Sequence, residues 1–107
     1  MNILLLSSEV AGIMKSGGLA DVAKALPLQL QAEGHDVRVV MPCYTTIKDY
    51  DKLEVIASGV LNENNPDEKL RIPYSIRKTY LNKVVEVWLV DCPKYFDRTS
   101  MYGDNNQ

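Results

Sequence analysis

The residues whose types and spacing could do chemistry lie in one glycine-rich segment near the start of the chain. This segment, residues 9–18, contains Gly12, Gly17 and Gly18 and a single lysine, Lys15. Glycine lets backbone N–H groups approach a phosphate closely, and a helix that begins near Gly18 adds unpaired donors and the positive end of its dipole. The residue types predict an anion-binding loop with Lys15 at its mouth. A purely structural turn with a surface lysine explains the same residues equally well.

The glycine spacing excludes two better-defined phosphate-binding motifs. A dinucleotide-binding fingerprint requires G-x-G-x-x-G, and a Walker loop requires G-x-x-x-x-G-K-[ST]. Neither pattern occurs in the chain. Spacing alone therefore indicates an anion site of no particular class.

Two acidic residues flank this loop, Glu9 before it and Asp21 in the first turn of the predicted helix. An acidic side chain in a first turn is stabilised by the helix dipole by ~0.3–1 kcal/mol. The position of Asp21 by itself therefore indicates a capping role. Glu9 and Asp21 could also form the acid and nucleophile of a glycosidase, but nothing else in the sequence supports that pair.

The elements that must position the loop follow the order strand, loop, helix, strand. The apolar run within residues 2–8 predicts a central strand buried on both faces, and the β-branched run at residues 36–41 predicts a second buried strand. Such a β-α-β unit is right-handed with parallel strands, so both strands end at the same edge of the sheet. Ligands of open α/β sheets bind at that edge, which is where the loop lies.

The helix between these strands is predicted from apolar residues at three- and four-residue spacing. It should run to about Glu33, with Gly34 as its C-terminal cap and a kink at Pro27. The positions expected to face the core are Leu19, Val22, Ala23, Leu26 and Leu30.

In the second half of the chain the sequence pattern predicts strands and no helix. Residues 53–61 and 70–80 predict a β-hairpin, and residues 84–90 predict a further strand of the main sheet. Asp91 follows that strand, where capping of the next turn is favoured over a substrate role. The fold class predicted is α/β, a Rossmann-like parallel sheet with an inserted β-hairpin.

Composition limits the class of protein further. A chain of 107 residues with a formal net charge of −2 forms at most one domain and lacks the basic field that binds nucleic acid. The first residues form neither a signal peptide nor a membrane span, which predicts a cytoplasmic protein. Cys43 and Cys92 lack metal-site spacing and are expected as reduced thiols, because a disulfide would be unusual in that compartment.

Several segments of the chain, in order, resemble the start of bacterial glycogen synthases and plant starch synthases. The family carries a K-[TS]-G-G-L-x-D-V element, which residues 15–22 (KSGGLADV) match. Further matching segments are residues 8–9 (SE), 25–27 (ALP), 34–44 (GHDVRVVMPCY) and, near the end, Asp91, Pro93, 96–98 (FDR) and 102–103 (YG).

This resemblance implies a retaining glucosyltransferase that elongates an α-1,4-glucan from ADP-glucose, without a metal or other cofactor. It implies a two-domain GT-B enzyme, of which residues 1–107 would be the first part of the N-terminal, acceptor-side domain. The second domain would be absent, so these residues alone are expected to be inactive. On the family pattern Lys15 binds the donor, and Gly17 and Gly18 contact its phosphates or sugar. Asp21 matches a position linked to sugar or donor binding, a role that we weigh equally with capping, and Tyr102 lies near the active cleft.

The chain departs from the family pattern at two positions. Gly12 stands where the family commonly has proline, which predicts a looser loop at a cost of ~0.5–1 kcal/mol. Lys24 stands where glycine is common and is expected to face solvent. An alternative function is a stand-alone Rossmann-like module that binds a nucleotide sugar or phosphate without catalysis.

Overall fold

Among the residues that the structure describes, five strands form one mixed sheet in the order β1-β2-β5-β4-β3, with one long helix against one face. The computed structural model describes residues 1–13, 17–44, 46–47 and 49–93. Its elements are β1 (Asn2–Leu6), α1 (Gly18–Ala32), β2 (Asp36–Pro42), β3 (Glu54–Leu61), β4 (Ile72–Leu81) and β5 (Val85–Asp91), with 3₁₀ turns at Tyr50–Lys52 and Glu68–Leu70.

The parallel half of the sheet contains the three strands that the sequence predicted. β2 pairs in parallel with β1 on one side and with β5 on the other. The prediction that the first strand is central and buried on both faces is wrong, because β1 lies at the edge of the sheet. Leu4 and Leu6 are 55% and 71% exposed. The leucine run indicated burial, but no described element covers the face of the sheet to which Leu4 and Leu6 point.

The antiparallel half contains the predicted hairpin, formed by β3 and β4. β4 also pairs with β5, so the hairpin extends the main sheet. The β4–β5 turn closes with a hydrogen bond from the N–H of Val84 to the carbonyl of Leu81 (3.1 Å). Its central residues, Asn82 and Lys83, both have positive φ, as a type I′ turn requires. β5 is thus the strand on which the two halves meet.

Helix α1 ends as the sequence predicted. Gly34 takes a φ of +96°, and its N–H donates to the carbonyl of Gln31 (3.0 Å). The N–H of His35 donates to the carbonyl of Leu30 (3.2 Å), which completes a Schellman motif. Pro27 lies inside the helix and is fully buried, and the helix continues past it to Ala32.

The face of α1 that packs on the sheet agrees with the predicted one at Ala23 and differs from it elsewhere. Leu19, Val22 and Leu26 are about half exposed, and the buried positions are Ala20, Ala23 and Pro27. Small side chains allow the helix to lie close to the sheet, whereas the larger leucines and valine would hold it away. Spacing detected the helix and the core position of Ala23, which is confirmed, but its assignment of Leu19, Val22 and Leu26 to the core is wrong.

The core lies between α1 and one face of the sheet, where alternate residues of β2 and β5 point. Its fully buried strand residues include Val37, Val39, Met41, Val85, Val87 and Leu89. On the opposite face, an open apolar groove of about 410 Å³ runs along the ends of β1, β2 and β5. Leu6, Val40, Pro42 and Val90 line it. This face has no layer over it in the part of the chain that the structure describes.

Asp91, at the end of β5, ties three elements together. Its Oδ2 accepts hydrogen bonds from Arg77 Nε of β4 (2.9 Å) and from the Tyr50 hydroxyl (2.6 Å). Arg77 also donates to the carbonyl of Tyr50 (3.1 Å) and stacks over its ring. Burial and the bond to Asp91 raise the pKa of Tyr50 to about 12, so its hydroxyl remains a donor. This network fixes the segment between β2 and β3 against the sheet.

Both cysteines are buried free thiols, as predicted for reduced residues. Burial, with a smaller contribution from the nearby Asp91, raises the pKa of Cys43 to about 12. The thiol therefore stays protonated at neutral pH and belongs to the core, and the Cys92 thiol faces the carbonyl of Pro73 (3.7 Å). Among the described residues, no helix has the length and apolar character needed to span a membrane.

The Asp91 network predicts a large stability loss for Arg77→Ala. The variant leaves the Asp91 carboxylate, which is only 4% exposed, without its cation, and the free energy of unfolding should fall by ~3 kcal/mol. Lys78→Ala is the matched control, because its ion pair with the well-exposed Glu54 is screened by solvent and contributes little. Urea unfolding of both variants measures the difference, and equal effects would contradict the assignment.

Candidate functional site

The connection after β1 is held in place before the glycine-rich loop begins. The Ser7 hydroxyl donates to the carbonyl of Glu9 (2.7 Å), and the N–H of Glu9 lies 3.3 Å from the same hydroxyl oxygen. The Tyr44 hydroxyl, just beyond β2, donates to the carbonyl of Ser8 (3.1 Å). The ends of β1 and β2 are thereby joined at the edge where the loop starts, as the parallel arrangement predicts.

The first turn of the loop is anchored to the core through Val10, which is fully buried. The N–H of Ile13 donates to the carbonyl of Val10 (3.1 Å), and the N–H of Ala11 donates to the carbonyl of Ala20 in α1 (3.0 Å). Between them, Gly12 has a φ of +90°. The loop therefore begins with a defined turn tied to the helix.

The conformation of Gly12 corrects the expectation for this departure from the family pattern. Proline cannot adopt a φ of +90°, so the turn seen here is specific to glycine and is not a proline turn with the ring removed. Lys24 also differs from expectation. It is half-buried, and its Nζ lies 3.9 Å from the point where a Cβ on Gly12 would stand. Lys24 thus folds back over the loop.

Glu9 is the residue at this site whose role the sequence did not reveal. It is 1% exposed, and its Oε1 accepts hydrogen bonds from the N–H groups of Gly17 (3.1 Å) and Ala20 (3.0 Å). Gly17 is the N-cap of α1, so a carboxylate from outside the helix caps its first turn. The helix terminus, expected to present unpaired donors, already holds a negative charge of the protein. The sequence offered one signal for this role: Glu9 is an acidic residue placed between a predicted strand and a helix that begins with glycine.

For two of the predicted site residues, Gly17 and Gly18, the structure shows whether the fold requires glycine. Gly17 has φ −163° and ψ −165°, extended backbone that any residue adopts. A Cβ on Gly17 would meet Glu9 Oε1 at an ordinary 3.8 Å, and one on Gly18 would meet nothing within 4 Å. Neither the backbone conformation nor packing against the described residues therefore requires glycine at these two positions.

Asp21 is exposed in the first turn of α1, where the dipole stabilises it. Glu9 is buried and bonded to the helix backbone, which leaves the glycosidase-type pairing of these two residues without support.

Lys15 and Tyr102 lie outside the described residues, so their roles stay predictions. Asp91 takes part in the network with Arg77 and Tyr50. Within the described ranges, no group of three or more His, Cys, Asp or Glu side chains could hold a metal ion.

This fold and site define a class of protein, Rossmann-like α/β units with a glycine-rich loop at the carboxyl edge of the sheet. The chain matches the starch synthase catalytic domain family over residues 2–107. It is 50% identical to a glycogen synthase of Aeromonas salmonicida and 45% identical to one of Vibrio atlanticus. Both alignments cover the whole chain and 21% of the relative. The chain belongs to the starch synthase catalytic domain family.

A solved structure supports the same fold. The catalytic domain of starch synthase IV from Arabidopsis thaliana, bound to ADP and acarbose, matches 97% of this chain with a TM-score of 0.70 and 22% sequence identity. The match covers 21% of that chain. This likeness confirms the predicted fold class, and the chain spans about a fifth of the length of the relatives it matches.

The backbone of Gly12 yields a prediction about stability. Gly12→Ala forces a side chain into a left-handed conformation and should lower the free energy of unfolding by ~1–2 kcal/mol. Gly18→Ala, at the first helical position with open space around it, should instead raise it by ~0.5–1 kcal/mol. Thermal or urea unfolding checks both variants. Equal changes of the same sign would show that the turn at Gly12 does not have this conformation.

Proposed function

We propose that the polypeptide carrying this chain is a retaining glucosyltransferase that elongates an α-1,4-glucan, using ADP-glucose as the donor. Family membership and relatives named glycogen synthase support the reaction class. The starch synthase structure bound to ADP supports an adenine nucleotide as the donor's carrier. The glucan is the second substrate, and no nucleic acid or membrane takes part.

In this proposal the chain is the first part of the N-terminal, acceptor-side domain of a two-domain GT-B enzyme. The fraction of each relative that it covers supports this, and so does its exposed apolar surface. The groove on one face of the sheet and the outward stripe of Leu19, Val22 and Leu26 on α1 suit burial by further polypeptide. A stand-alone binding module would leave both surfaces in water. Residues 1–107 alone should therefore not turn over.

The observation that carries the proposal is that glycine occupies positions 17 and 18, with open space beside Gly18 among the described residues. Since neither φ nor packing against the described residues calls for glycine there, we assign the missing side chains to a molecule outside the chain. A sugar diphosphate at this position would lie against the backbone of the first helical turn, at the edge where α/β sheets bind ligands. Asp21, exposed on the same turn, and Tyr102 are proposed to contact the sugar side of that ligand.

In this proposal the glycine-rich loop and the first turn of α1 stabilise the negative charge on the departing diphosphate. The bond from the anomeric carbon to the diphosphate oxygen breaks as the glucan hydroxyl adds to that carbon, and negative charge accumulates on the diphosphate. Lys15 and backbone N–H groups would stabilise this charge without a metal ion, together with cations of the second domain. The two buried thiols suit the reducing cytoplasm, where we place the enzyme.

Removing the lysine tests donor binding directly. In the complete polypeptide, Lys15→Ala should weaken ADP-glucose binding by ~1–3 kcal/mol, the range for one lost charge-assisted hydrogen bond. Steady-state transfer to glycogen, with UDP-glucose as the alternative donor, measures the effect. Lys52→Ala, an exposed lysine on a 3₁₀ turn, is the control. Unchanged donor affinity would contradict the proposed role of Lys15.

The variant Gly18→Ala distinguishes a role of this glycine in ligand binding from a role in folding. The variant should keep or gain stability, yet lower the affinity for ADP by roughly ten-fold, because its methyl group occupies space assigned to the ligand. Isothermal titration of the complete polypeptide with ADP measures the affinity. Wild-type affinity in the stable variant would show that the open space serves another purpose.

A further inference from the structure

We propose that Glu9 is the positioning residue of the glycine-rich loop: it selects which N–H groups of the first helical turn remain for the donor diphosphate. This inference rests on the proposed function, because it assumes that the loop binds that ligand. It assigns Glu9 no contact with substrate. The buried carboxylate acts through the backbone that it holds.

The first four N–H groups of α1, those of Gly17, Gly18, Leu19 and Ala20, have no i−4 carbonyl of the helix as acceptor. Glu9 Oε1 binds the first and the last of them, at 3.1 and 3.0 Å. The N–H of Ala20 also makes a long bond to the carbonyl of Gly17 (3.3 Å). For the N–H groups of Gly18 and Leu19, the described part of the chain shows no acceptor. Both residues are exposed, as is Gly17. The hydrogen bonds, and not exposure, therefore divide the set into two donors that Glu9 binds, the inward donors, and two that it leaves unbound, the outward donors.

The anchorage of Glu9 explains why this division should be rigid. Its backbone is held on both sides by the Ser7 hydroxyl, and Tyr44 holds the neighbouring carbonyl of Ser8. Val10, which follows, is fully buried in the core. A carboxylate on such a base fixes the position of Gly17 relative to the end of β1, and with it the direction of the next two N–H groups.

The charge of Glu9 has a second consequence for ligand binding. A negative charge at the helix terminus offsets the positive end of the dipole, equivalent to about +0.5 of an elementary charge. The helix then offers hydrogen-bond donors with little net attraction for an anion. The negative charge of a diphosphate bound at the start of α1 must therefore be neutralised by Lys15 and by cations elsewhere.

Three substitutions at Glu9 distinguish positioning from a purely electrostatic or purely structural role. Glu9→Gln keeps an acceptor at the same reach and removes the charge. Glu9→Asp keeps the charge, but its shorter side chain cannot reach both N–H groups. Glu9→Ala removes both properties. Glu33→Gln, an exposed charge at the other end of α1, is the matched control.

The experiment measures ADP affinity by calorimetry and donor KM and kcat for the complete polypeptide, alongside thermal unfolding. Positioning predicts that Glu9→Ala and Glu9→Asp each weaken ADP binding about ten-fold or more in folded protein, whereas Glu9→Gln stays within about three-fold of wild type. The opposite order, with Asp better than Gln, would overturn the inference in favour of charge. Lower stability with unchanged ADP affinity would overturn it in favour of a merely structural role.

A second pair of variants tests the outward donors even where Glu9 variants fail to fold. Proline is well tolerated at the first helical position, and the extended Gly17 before it is compatible with proline. Gly18→Pro should therefore fold but lack the N–H, and should bind ADP more weakly than Gly18→Ala, which keeps it. Equal affinities would exclude this N–H from the site. If wild-type polypeptide transfers no glucose from ADP-glucose, the proposed function itself fails, whatever the Glu9 variants show.

Discussion

The hydrogen bonds from the start of α1 to the buried carboxylate of Glu9 are the interaction on which the arrangement of this site depends. They join the end of β1 to the first turn of the helix across eight and eleven residues of chain. They also place Ala20 against the core, which determines the face that α1 turns to the sheet. A carboxylate in this position is stabilised by the helix dipole and by two N–H donors, which offset the cost of its burial.

The sheet supplies the frame for that interaction. Parallel pairing of β1, β2 and β5 brings their carboxyl ends to one edge, where the loop lies. The antiparallel pairing of β4 to β5 then attaches the hairpin on the other side. Asp91 stands at the junction and binds Arg77 of β4 as well as Tyr50 from the preceding segment. Two buried carboxylates, Glu9 and Asp91, thus organise neighbouring parts of the same edge for different purposes.

The candidate site was predictable in part. The glycines and Asp21 lie where the strand-loop-helix pattern put them, because glycine content, helix start and strand end are local properties of the chain. The role of Glu9 was not predictable, since its partners are backbone groups that come near only when the loop folds back. The same holds for Lys24, which reaches over Gly12 instead of facing solvent.

The sequence by itself determined the order and type of the elements, the Schellman cap at Gly34, the hairpin and the family. These depend on periodicity, turn chemistry and short motifs that act between near neighbours. Only the tertiary structure decided that β1 is an edge strand and that α1 packs through Ala20, Ala23 and Pro27. Both outcomes depend on which surfaces meet. The apolar pattern marks several surfaces as suitable for burial, and close packing with bonded polar groups selects among them.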